Sequence, residues 1–100
     1  MQITIRYFDG CPNWRLAEQR LHEALNELGI SDADVAVEPV ETHEEALRVG
    51  FRGSPTVLVD GRDPFGDAHA DIGLACRVYA TPIGPQGAPT VEQLRAALAG

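Results

Sequence analysis

Two cysteines, Cys11 and Cys76, are the side chains with the most chemistry in this 100-residue sequence. Cys11 stands in YFDGCPNW (7–14), where an alternating run stops at Asp9-Gly10 and Pro12 follows the cysteine directly. A thiol just ahead of a helix faces unpaired backbone N–H groups and the positive end of the helix dipole, which favour thiolate. Thiolate is the form that attacks disulfides and binds soft metals. Arg15 adds positive charge nearby and Asp9 opposes it. The expectation is a reactive Cys11; the plainer reading is a small residue buried where a helix begins. Trp14 stands three residues after Cys11 and cannot serve as a second thiol, so a mixed disulfide at Cys11 has to be resolved by an outside thiol or by Cys76. Trp14 itself reads first as part of a core stripe and second as a shield over one side of the sulfur.

Cys76 opens CRVYAT (76–81), a candidate fourth strand. There it is expected as a buried structural thiol at the end of the sheet away from Cys11. The alternative is that the connection 61–76 arches back over the site, and a Cys11–Cys76 bond then needs Cα atoms within about 7 Å. Neither cysteine belongs to a CxxC or to a Cys/His cluster with zinc spacing, so no structural metal and no cofactor are expected. His22, His43 and His69 are scattered and read as solvated surface. The series Asp60, Asp63, Asp67 and Asp71 lacks calcium-loop spacing and reads as a solvated loop. Gly50 and Gly53 flank Arg52 without a phosphate-loop pattern.

The elements that position these residues are legible from period and punctuation. QITIRYF (2–8) alternates, with Ile3, Ile5 and Tyr7 on one face, as a strand does. From Asn13 to Leu28 the apolar positions Trp14, Ala17, Leu21, Ala24, Leu25 and Leu28 recur every three or four residues, which predicts an amphipathic helix. Pro12 suits its first turn and Gly29 its stop. DVAVEPV (34–40) predicts a buried parallel strand. Thr42 and Glu45 form a capping box for a short helix through Val49. PTVLVD (55–60) predicts a third strand, residues 61–76 carry no assignment, and PIGPQGAP (82–89) reads as a loop. Thr90 and Gln93 cap a final helix with Val91, Leu94, Ala97 and Leu98 on its apolar side. The order β-α-β-α-β-β-α predicts one α/β domain over 1–100, with a four-stranded mixed sheet and helices on both faces.

That order, with CPNW at the first strand-to-helix junction and GSPTVLVDG (53–61) at the third strand, resembles the thioredoxin-like superfamily. More narrowly, it resembles small bacterial members whose active-site position holds cysteine or selenocysteine. The resemblance implies a thioredoxin-like fold, a catalytic Cys11 and a cis peptide bond before Pro55. Pro12, Trp14, Ser54 and Pro55 are implied to contact substrate, the backbone of Ser54 pairing with an extended peptide or a glutathione-like thiol. The segment CRVY also resembles, over four residues, a stretch of organomercurial lyases that carries a mercury-binding cysteine.

Composition narrows the partners. Hydrophobic residues make up 44% of the chain, enough for a modest core, and the net charge of −7 argues against nucleic acid or anionic membrane as partner. No run approaches the roughly 18 apolar residues of a membrane span and no signal segment is visible, so a cytoplasmic location is expected. Three functions follow: a monothiol oxidoreductase acting on thiol/disulfide substrates with a low-molecular-weight thiol or Cys76 as resolving partner, a peptide-binding module without turnover, and a soft-metal binder. Oligomeric state leaves no mark on the sequence.

Overall fold

The computed structural model describes residues 1–66 and 72–99. Strand β1 (Gln2–Tyr7) lies between β2 (Asp34–Pro39) and β3 (Thr56–Val59) in a three-stranded sheet of order β2-β1-β3. β1 and β2 run parallel, with Ile3 opposite Val35 and Ile5 opposite Val37, joined through helix α1 (Asn13–Glu27). β3 is antiparallel to β1, with Ile5 opposite Val57. Helix α2 (His43–Val49) precedes β3, and helix α3 (Val91–Ala99) follows a hairpin of β4 (Tyr79–Thr81) and β5 (Gly84–Gln86).

The alternation of β1 places Ile3 and Ile5 on the face that meets α1 and α3. There they pack with Leu21, Leu25, Val57, Leu94 and Leu98, all buried. Burying each such aliphatic side chain contributes about 1.5–3 kcal/mol. The opposite face of β1 turns towards α2, and Arg6 donates to the Val49 carbonyl oxygen at 3.5 Å. A second cluster of Val40, Ala46 and Phe51 packs with Phe8, Val49, Ile72 and Leu74. The caps form as their residues dictate. Thr42 Oγ1 accepts from the Glu45 amide at 3.1 Å, and Thr90 and Gln93 exchange hydrogen bonds at 2.9 and 3.1 Å.

Four sequence expectations need correction. Among the described residues, a three-stranded sheet and a separate two-stranded hairpin replace the expected four-stranded sheet. Residues 76–81 do not act as one strand, because Cys76 bridges to Ser54 whereas Tyr79–Thr81 pair with β5. The expected loop 82–89 contains β5, and Gly84 at φ 105° lets the chain double back there. Pro85, which has no N–H to donate, is tolerated at such an edge. Finally, β2 is a half-exposed edge strand rather than a buried one, with Asp34, Ala36, Glu38 and Pro39 all exposed.

Candidate functional site

The chain leaves β1 through the turn at Asp9-Gly10, where the Cys11 amide donates to the Phe8 carbonyl oxygen at 3.0 Å. A Cβ on Gly10 would lie 2.6 Å from the Phe8 ring, so any other residue here would make that ring shift. Pro12 is exposed and holds the N-cap position of α1 at φ −76°, with no side-chain hydrogen bond to the first amides. Cys11 therefore precedes a helix end whose N–H groups have no side-chain cap. Its side chain is wholly buried, and its Sγ lies 3.7 Å from the Ser54 carbonyl oxygen. Trp14, half-buried, stacks on Tyr7 with ring centroids 4.4 Å apart and packs against the main core. The Arg15 guanidinium sits 5.2 Å from the Trp14 ring centroid, so its charge is turned to the indole.

Cys76 is bonded to Cys11. The disulfide spans 65 positions in sequence with Cα atoms 5.8 Å apart. This corrects the reading of Cys76 as a structural thiol at the far end of the sheet, and no free cysteine remains. The bond is reached because the segment 72–78 returns beside the loop before β3. The Ser54 amide donates to Ala75 and the Arg77 amide donates to the Ser54 carbonyl, both at 2.8 Å. A parallel bridge thus flanks the disulfide on both sides. The Ser54–Pro55 peptide bond is cis, and both residues are buried. The backbone groups of Ser54 expected to receive an extended peptide are occupied by the protein's own chain.

Arg77 anchors that segment. Its guanidinium pairs with Asp63 at 2.7 and 3.4 Å, donates to the Phe65 carbonyl oxygen and reaches Thr56 Oγ1 at 3.5 Å. It also lies 4.6 Å from the centroid of the Tyr79 ring. Tyr79 in turn donates its hydroxyl to the Pro55 carbonyl oxygen and meets Phe65 edge-to-face. Burial pushes the Tyr79 phenol well above its ordinary range; Arg77 opposes the shift and Asp63 adds to it. Gly53 makes room for Arg77: at φ 114°, any Cβ would stand 2.9 Å from the Arg77 Cβ.

Sequence reasoning missed Gly53, Asp63, Arg77 and Tyr79 as parts of this site. CRVY carried three of the relevant residues in one segment, and only its cysteine was weighed. Asp63 is not a solvated loop residue, because its carboxylate is held by Arg77. Asp60 is exposed, in line with the solvated-loop reading, and its carboxylate accepts from the Gln2 amide at 2.9 Å. Asp67, His69 and Asp71 lie outside the described residues. His22 and His43 are exposed on α1 and α2. Among the described residues, no group of three or more His, Cys, Asp or Glu side chains could hold a metal ion. No described helix is long and apolar enough to cross a membrane.

A cysteine at the head of the first helix, set against the loop that carries Pro55, is what the resemblance to thioredoxin-like proteins implied; its bond to Cys76 from a distant segment is this chain's own feature. The chain belongs to the thioredoxin family. It is 36% identical over 61 residues to thioredoxin of Methanothermobacter thermautotrophicus, a match that covers 61% of this chain and 74% of that protein. No protein-family model matches the chain. No solved structure matches it either.

Proposed function

We propose that the protein is a thiol–disulfide oxidoreductase whose working couple is Cys11–Cys76, with Ser54 and Pro55 beside the sulfurs and Pro12 and Trp14 at the adjoining helix start. The observation that carries this reading is the bond between Cys11 and Cys76 at the head of α1. It supplies the second sulfur that Trp14 cannot, so the couple cycles between disulfide and dithiol without an outside resolving thiol. The family relationship supports the same chemistry on thiol or disulfide partners.

The working cycle makes each cysteine essential. Catalysed reduction of a protein disulfide by a small dithiol should fall to the uncatalysed rate in both Cys11→Ser and Cys76→Ser. Survival of activity in Cys76→Ser would return the mechanism to a monothiol cycle at Cys11 with a low-molecular-weight thiol. Wild-type turnover no faster than the uncatalysed reaction would leave a binding module.

A further inference from the structure

The two cysteines of the couple differ in exposure. Cys11 has none of its surface exposed. Cys76 is exposed and lines a cavity of about 580 Å³ with Pro64, Phe65, Val78, Tyr79 and Ala80. Thiol–disulfide exchange proceeds by attack on one sulfur as the other departs, so access decides which sulfur is struck. Resting on the oxidoreductase reading above, we infer that Cys76 is the sulfur an incoming thiolate attacks, and that Cys11 is the buried leaving and resolving thiol.

The helix head favours departure of Cys11, against the opposing effects of its burial and of the Ser54 carbonyl oxygen. The Cys11 sulfur leaves with negative charge at the head of α1, where the first amides have no side-chain cap. A stabilised thiolate is the faster leaving group. Ser54, whose carbonyl oxygen is 3.7 Å from Cys11 Sγ, also carries a buried hydroxyl with no hydrogen-bond partner.

The sequence of bonds is balanced. The donor thiolate forms a bond to Cys76 Sγ as the Cys76–Cys11 bond breaks, and the electron pair leaves on Cys11. A second thiolate then attacks the donor sulfur in the mixed disulfide and releases Cys76. The donor, a dithiol or two molecules of a low-molecular-weight thiol, loses two electrons and becomes a disulfide. The protein gains them as two thiols, and the donor's protons pass to these thiols or to solvent. In the reverse direction Cys76 attacks a substrate disulfide and Cys11 resolves the product.

Two measurements test the assignment. Oxidised wild-type protein is mixed with glutathione, quenched early with N-ethylmaleimide and mapped by peptide mass spectrometry. Glutathione should sit on Cys76 and maleimide on Cys11, in at least about tenfold excess over the reverse pattern. The reverse pattern overturns the assignment but leaves the oxidoreductase reading intact. A disulfide that survives without any adduct overturns both. The second measurement needs no intermediate to accumulate: reduced Cys11→Ser and Cys76→Ser are each reacted with an aromatic disulfide. Cys11→Ser, which retains Cys76, should react at least about tenfold faster. Equal rates, or a faster Cys76→Ser, overturn the assignment.

Discussion

Between the Cys11 sulfur and the segment that carries Cys76 stands Ser54, whose amide and carbonyl are both taken by that segment and whose hydroxyl is buried alone. Its neighbour Pro55 is held through the carbonyl oxygen, which accepts from Tyr79. The Tyr79 phenol is raised by burial, so above about pH 10 the unfolded chain releases a proton that the folded chain keeps. Tyr79 therefore contributes stability that is fully present below that pH and is lost as pH rises past it. Tyr79→Phe should lose about 1 kcal/mol at neutral pH, from the missing hydrogen bond to Pro55. It should also show a shallower loss of stability between about pH 10 and 11. Urea denaturation at neutral and alkaline pH reads both effects. An unchanged alkaline slope would mean that another group controls it.

At the scale of elements, the segment 72–78 is what brings the second sulfur in, and its attachment depends on groups well apart in sequence. Arg77 is buried, and Asp63 supplies the opposing charge that makes this tolerable. Asp63→Asn removes the charge and keeps the shape, so it should cost about 1.5–3 kcal/mol, the range for hydrogen bonds to charged groups. The loosened segment should also let Cys76 react faster with a small thiol. A stability loss below about 0.5 kcal/mol would show the ion pair to be worth no more than an exposed one. The regular elements needed no such long-range help. The period of Trp14 to Leu28 and the Thr42 and Thr90 caps each act within a few residues, and α1, α2 and α3 form where those patterns lie. CRVYAT had strand propensity over its whole length. Its first residues nevertheless went to Ser54 and Cys11, because a covalent bond and two backbone hydrogen bonds outweigh local preference.

For the molecule as a whole, the disulfide is a long cross-link as well as a redox couple. It closes a loop of 65 sequence steps between the head of α1 and the segment before β4. On chain-entropy grounds such a loop restricts the unfolded state by about 4 kcal/mol. Urea denaturation in the presence of a phosphine reductant should show the folded state weakened by about that amount. A fall of less than about 1 kcal/mol would mean that the unfolded ensemble is already compact. Redox state and folding are then coupled: conditions that favour the fold favour the disulfide, and a strong reductant lowers stability as it loads the site.

The sequence by itself determined the α/β alternation, the strand-to-helix junction at Cys11, the helix caps and the apolar face built on Ile3, Ile5, Leu21 and Leu25. These follow from periods and capping contacts that act over a few residues. Only the tertiary structure decided that β2 and β3 are the two edges of the sheet, and that Arg77 pairs with Asp63 while lying against the Tyr79 ring. It alone decided that Cys76 meets Cys11. That meeting depends on where 72–78 comes to rest against Ser54, and no local spacing records a pairing made across 65 positions.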